Sequence, residues 1–223
     1  MTKTEKRERL LKIEERLAAL YPDAECALKF DGDGWRLLVM GRLSAQCTDA
    51  RVNLVSRTLF ERYKTPHDMA KADIEELCEI IRSCGLYKMK ARNLIDSSKM
   101  LVEEFGGVIP NDIDALCRLP GVGRKIANLL VGDLYHAPAI VCDTHFIRIM
   151  GRLGMYPESE KNPEKIERII RGLFPAERGS DLCHRVVLFG REICTARSPL
   201  CDECPLADLC KRREADLKKN GKI

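Results

Sequence analysis

Leu119-Pro120-Gly121-Val122-Gly123-Arg124-Lys125 lies between two apolar runs of helical spacing, 112–119 before it and 124–135 after it. Pro120 stops the first helix, and the glycines permit a tight reversal and a close approach of backbone to a ligand. The second helix then opens with N–H groups that have no partner inside the helix, at the positive end of its dipole. Such a terminus attracts phosphate. Lys125 stands just inside it, so the stretch combines a phosphate-binding turn with an amine that could act as a nucleophile.

The surrounding chain reads as helices throughout. Thr2 and Glu5 have capping-box spacing, and Leu10, Ile13, Leu17 and Leu20 recur at helical intervals. Asp31-Gly32-Asp33-Gly34 marks a turn. Helices are expected from Trp35 through Gln46, over 49–63, over 66–70 and 72–83, and over 88–105. Asn111 or Asp112 can cap the helix that enters the hairpin. Beyond it, Asp143-Thr144-His145 opens a helix to about Leu153, and 163–174 and 180–194 complete the regular structure. Strand alternation is absent, since 139–141 is too short to seed a sheet. The expected fold is all-α, with 211–222 a frayed, charged tail.

Lys+Arg of 38 against Asp+Glu of 34 gives a formal charge of +4, which permits a polyanionic partner without requiring one. Aromatic residues are only 5%, which argues against stacking platforms for single strands. The first twenty residues mix charges with spaced leucines and resemble neither a secretory signal nor a transit peptide. No uncharged run reaches membrane-spanning length. Eleven cysteines in such a chain suggest a reducing compartment and metal ligation rather than disulfides.

Four of these cysteines, Cys194, Cys201, Cys204 and Cys210, follow the spacing C-x6-C-x2-C-x5-C. Soft thiolates select zinc, copper(I) or iron–sulfur. A structural zinc site usually shows two short knuckles separated by a longer insert, whereas a single C-x2-C flanked by wide loops suits a larger cubane cluster. Arg197, in the loop between the first two ligands, could meet a phosphate. The other seven cysteines fall mostly on apolar faces and are expected in the core.

Together, Leu43-Ser44-Ala45-Gln46-Cys47-Thr48-Asp49, Gly85-Leu86-Tyr87, the hairpin, Asp143-Thr144-His145 and the four cysteines resemble the endonuclease III family of helix-hairpin-helix base-excision DNA glycosylases. The resemblance runs to Cys210. It implies two helical lobes: a six-helix domain at 27–137, and a discontinuous domain of 1–26 with 138–223 carrying a [4Fe–4S] cluster. It also implies a cytoplasmic, nucleoid-associated monomer whose partner is double-stranded DNA with damaged or abasic sites, lying across the cleft between the lobes, and no membrane.

By the same resemblance, Lys125 is the nucleophile and Asp143 the catalytic carboxylate of an enzyme that excises oxidised pyrimidines and then nicks the strand by β-elimination. Desolvation and the helix end would both favour the neutral amine that this chemistry needs. Asp143 could equally be a plain N-cap. Gln46 and Leu86 match the residues that fill the gap left by a flipped base. Gly121, Gly123 and Arg124 would face phosphate. Ile126, Arg42 and Cys142 depart from the family's pattern. An adenine-mismatch glycosylase without lyase chemistry is the nearest rival, but it lacks the lysine and needs a carboxylate that 37–48 does not contain. A non-catalytic DNA-binding module with structural zinc is the other.

Overall fold

The structure, a computed structural model, describes residues 1–219. Among these residues there are twelve α-helices and three short 3-10 turns, with no strand. The chain forms two compact units, one of Cys26–Tyr135 and the other of Met1–Glu25 joined by the chain from His136 onward.

The Cys26–Tyr135 unit is built around α2 (Gly34–Leu43), in which Trp35 and every residue from Leu37 to Leu43 are buried. A helix covered on all sides carries no amphipathic stripe, which is why its pattern reads as continuous apolar sequence. Gly41 faces α8 (Arg124–Tyr135), where a Cβ would make an ordinary contact with Ile126 Cγ2 at 3.5 Å. Around this axis lie α3 (Asp49–Arg62), the five-residue α4 (Pro66–Ala70), α5 (Ile74–Ile81), α6 (Tyr87–Phe105) and α7 (Ile113–Arg118).

Several helix ends differ from expectation for local reasons. α2 stops at Leu43, three residues before Gln46, where the Ser44 hydroxyl donates to Gly41 O at 2.8 Å and closes the last turn. α5 starts at Ile74 because the Asp73 carboxylate accepts from both Glu75 N and Glu76 N at 2.9 Å. It ends at Ile81 in a 3-10 turn, Arg82–Cys84. Cys84, Cys142 and Cys183 are buried, Cys26, Cys47 and Cys78 are half-buried, and Cys117 is exposed. The core assignment therefore fails for Cys117, which sits on the outer side of a six-residue helix.

In the other unit, α1 (Lys3–Leu20) has the expected capping box and buries Leu10, Ile13 and Leu17, whereas Leu20 is exposed at the frayed last turn. It also buries Glu14, whose carboxylate accepts from Arg185 Nη1 at 2.9 Å and from Arg178. Arg178 is the residue just before α11 (Gly179–Glu192), and Arg185 lies within it. α9 (Thr144–Arg152) and α10 (Pro163–Arg171) complete the packed set. Residues 211–219 are not frayed but form α12 (Lys211–Lys219), in which Glu214 pairs with Lys211 at 2.5 Å and Lys218 at 2.8 Å. Residues 220–222 of the expected tail lie outside the described residues.

Removing one partner from a buried ion pair leaves the other charge uncompensated, at a cost of about 3 kcal/mol or more. Glu14→Ala is therefore expected to lower the melting temperature by several degrees, read by thermal denaturation. An unchanged transition would show that Arg178 and Arg185 find solvent without it.

Candidate active site and DNA interface

The Asp112 carboxylate accepts from Ala115 N at 2.7 Å and starts α7. The chain leaves that helix in extended conformation at Leu119, and Val122 N bonds Leu119 O at 3.0 Å to close the turn. Leu119 and Val122 are buried, so they anchor the hairpin from within while Gly121 and Gly123 stay on the surface. Gly121 has φ +75°, a left-handed conformation that side chains disfavour. A Cβ there would also fall 2.2 Å from Arg42 Nη2. Gly123 is different. Its φ is not positive, and a Cβ would meet nothing within 4 Å, so the reversal does not require it. Its carbonyl accepts from Ile126 N and Ala127 N at 2.9 and 3.1 Å, and no side chain at that position competes for the N–H groups of the first turn of α8.

Arg124 is half-buried and Lys125 is exposed. The desolvation expected to favour a neutral amine at Lys125 is therefore not supplied by burial in the chain itself. What the fold supplies is placement, in the first turn of α8 beside the exposed glycines.

Gln46 and Leu86 both have left-handed backbones, φ 54° and 47°, and both are exposed, Leu86 by 49%. Such outliers persist only where their surroundings hold them. Here the holding group is Lys90, only 1% exposed. Its Nζ donates to Leu43 O and Ala45 O at 2.7 Å and to Cys84 O at 2.8 Å. The first two carbonyls precede Gln46, and the third precedes Leu86. Three N–H donors on one nitrogen require the ammonium form, although burial pulls the Lys90 pKa below the usual lysine range. One charge thus binds both loop tips to the helix behind them.

In the other unit the Asp143 carboxylate accepts from Phe146 N at 2.7 Å and caps α9. His145 packs so tightly on α11 that a Cβ at Gly190 would lie 2.5 Å from its Nδ1, and Arg148 Nη2 stands 3.2 Å from the same nitrogen. Burial lowers the His145 pKa below its ordinary 6.5. Arg148 Nη2 also donates to Gly190 O and Cys194 O, at 3.2 and 3.0 Å, which links the Asp143 segment to the first of the four cysteines.

Those four thiols line one cavity of about 160 Å³, together with Arg152, Arg197 and Leu200 among others. Arg152 Nη1 reaches Cys194 Sγ at 3.3 Å and Thr195 O at 2.8 Å. Among the described residues no three His, Cys, Asp or Glu side chains converge on a single metal ion. Four thiols lining one cavity are the soft donor set that an iron–sulfur cluster takes. Burial raises the Cys204 and Cys210 thiols above their ordinary value, a cost that cluster ligation reverses because the ligands are thiolates. Arg197 is exposed on the cavity's rim.

The sites therefore fall into two sets. Gln46, Leu86, Gly121, Gly123, Arg124 and Lys125 belong to the Cys26–Tyr135 unit, while Asp143, Arg197 and the four cysteines belong to the other. Lys90 was missed because a lysine within an amphipathic helix ordinarily reads as solvated. Its place one residue before Ala91 and four before Leu94, both buried, was the available signal. Arg42 was visible as an interruption of an apolar helix, without a role.

A family profile described as HhH-GPD superfamily base excision DNA repair protein matches residues 39–176, and the iron-sulfur binding domain of endonuclease III matches 194–210. Fold, hairpin and cysteine pattern thus define a helix-hairpin-helix enzyme of base excision repair. The chain is 43% identical to endonuclease III of Bacillus subtilis (strain 168), over 92% of its own length and 93% of the relative's. It is 37% identical to that of Escherichia coli (strain K12), over 92% and 95%. A structure of a non-covalent endonuclease III–DNA complex superposes with a TM-score of 0.89 at 40% identity, covering 95% of this chain and 98% of the other. The chain belongs to the endonuclease III family, as a DNA glycosylase and AP lyase carrying a [4Fe–4S] cluster. No helix among the described residues is long and apolar enough to cross a membrane.

Two predictions follow from this geometry. Lys90→Met strands three carbonyls, each costing about 1–3 kcal/mol when buried unsatisfied, and should lower the urea midpoint strongly. A midpoint within error of the parent would show that water replaces the ammonium. The depressed His145 pKa contributes stability that is fully present above pH 6.5 and is lost as pH falls, because the unfolded chain takes up the proton first. His145→Gln should flatten that part of the stability–pH profile, measured by denaturant titration between neutral and mildly acidic pH.

Proposed function

We propose that this enzyme removes oxidised pyrimidines from duplex DNA and cleaves the resulting abasic strand through a Schiff base on Lys125. The observation that carries the reading is the position of Lys125, an exposed amine in the first turn of the helix that follows an exposed, glycine-lined hairpin. A second structure 41% identical to this chain, with a TM-score of 0.89, is described as a trapped endonuclease III–DNA covalent intermediate. That description supports a covalent route here.

The hairpin N–H groups and Gly123 hold a phosphate, and the lesion nucleotide leaves the stack because its anomeric carbon is otherwise out of reach. Gln46 and Leu86 fill the vacated space from their constrained loop tips. With bound DNA excluding water, neutral Lys125 attacks C1′, the glycosidic bond breaks, and the base departs with its electron pair. Ring opening yields the imine. Loss of a C2′ proton then expels the 3′ phosphate and breaks the strand on that side of the sugar. Asp143 keeps one carboxylate oxygen on Phe146 N and has a second for proton transfer or for the positive charge that develops on the sugar. Cys194, Cys201, Cys204 and Cys210 hold the cluster, which cross-links the loop bearing Arg197, a further phosphate contact. The enzyme acts as a monomer.

Borohydride added to the enzyme with an abasic duplex should yield a covalent adduct that Lys125→Ala abolishes. Equal trapping by that variant would assign the nucleophile elsewhere. Asp143→Asn keeps the cap acceptor, so DNA binding should persist while turnover falls by roughly a hundredfold or more, as expected for loss of a positioned acid–base group. Unchanged single-turnover rates would leave Asp143 as a cap alone.

A further inference from the structure

Arg42 is a charged residue that the proposed chemistry leaves unused. It lies in α2, the fully covered helix of its unit, and is 9% exposed. Its Nε is sealed from solvent with no hydrogen-bond partner, and among the described residues no carboxylate pairs with the guanidinium. The Lys90 ammonium nearby is of like sign, and Arg42 disfavours its charge. Burial also works against the charge on Arg42. A guanidinium does not escape this by losing its proton, so the folded chain holds a largely buried cation with no carboxylate partner among the described residues. That is costly unless something outside the chain neutralises it.

The guanidinium end is aimed at the hairpin. A Cβ on Gly121 would fall 2.2 Å from Nη2, 2.5 Å from Cζ and 2.9 Å from Nε. Gly121 is exposed and has no side chain, so the cation stands directly behind the outer face of the turn. The same face carries the start of the twelve-residue helix α8, whose dipole adds to the attraction for an anion.

We propose that Arg42 is a phosphate-binding residue: its guanidinium neutralises a phosphodiester of duplex DNA seated on the hairpin, acting across the gap that Gly121 leaves. The bound phosphate is the missing counter-charge, and it turns a burden on the free protein into binding energy for the complex. The assignment rests on the hairpin being a DNA-binding element, but not on the identity of the nucleophile. It also gives Gly121 a second purpose, since any side chain there would displace the cation.

The test measures duplex affinity against salt for the parent and Arg42→Met. Neutralising one phosphate contributes about 0.9 to the slope of log affinity against log salt. The variant should lose about that much slope and roughly tenfold in affinity. In the absence of DNA its melting temperature should be unchanged or higher, because an unpaired buried charge has been removed. A duplex scanned with single methylphosphonates should show one position whose neutralisation weakens the parent but not the variant. Arg42→Gln carries the same measurements should the methionine variant fail to fold. An unchanged slope with no such position would overturn the proposal, as would a lower melting temperature with unaltered binding, which marks a structural arginine. Borohydride trapping reads separately: its loss in the parent would sink the Schiff-base reading and leave the phosphate contact standing.

Discussion

The ammonium of Lys90 is bound to three backbone carbonyls, Leu43 O, Ala45 O and Cys84 O, at 2.7–2.8 Å. Two of these carbonyls close the end of α2, and the third closes the short turn after α5. A carbonyl at a helix end has no partner within the helix, and here one nitrogen serves three carbonyls, with the bonds to Leu43 O and Cys84 O buried and that to Ala45 O half-buried. The loop tips that follow can then adopt left-handed backbones at Gln46 and Leu86 without unravelling the helices before them. A buried charge thus holds two exposed residues in a left-handed conformation, the arrangement on which their proposed entry into a base stack relies.

The same unit contains a second buried cation whose logic is opposite. Lys90 is satisfied by the chain's own carbonyls, whereas the Arg42 Nε has no acceptor among the described residues and its guanidinium points at the turn between α7 and α8. One cation fixes the loop tips, and the other is the one we propose to meet a phosphate. Stability and recognition therefore draw on neighbouring charges, and the glycine between Arg42 and solvent is where they meet. The other unit uses charge more conventionally. Glu14 joins α1 to the beginning of α11, and Arg148 and Arg152 gather the carbonyls of the loop that leads to the cysteines.

Much of this was legible in the residues. Helix positions followed from apolar periodicity with Thr2, Asp112 and Asp143 as caps, because a cap is a local device and needs no distant partner. The spacing of the four cysteines announced a shared ligand for the same reason. Helix ends were less legible where a remote group settles them, as at Leu43, and 211–219 read as fraying because its helix depends on charge pairs and on Arg212 reaching Glu158 at 3.1 Å. Cys117 was misassigned because a six-residue helix gives periodicity too few turns to work with.

What the sequence by itself determined was the all-helical class, the hairpin, the order of the motifs and the family they define, all properties carried by short-range spacing. Only the tertiary structure decided that Lys125 is exposed rather than buried, that Gly121 and not Gly123 is required by the turn, and that Lys90 and Arg42 lie behind the recognition loops. The physical reason is one of range. Periodicity and capping act within a few residues, but the burial of a charge, and whether it finds a partner, depends on segments forty or more positions apart being brought together.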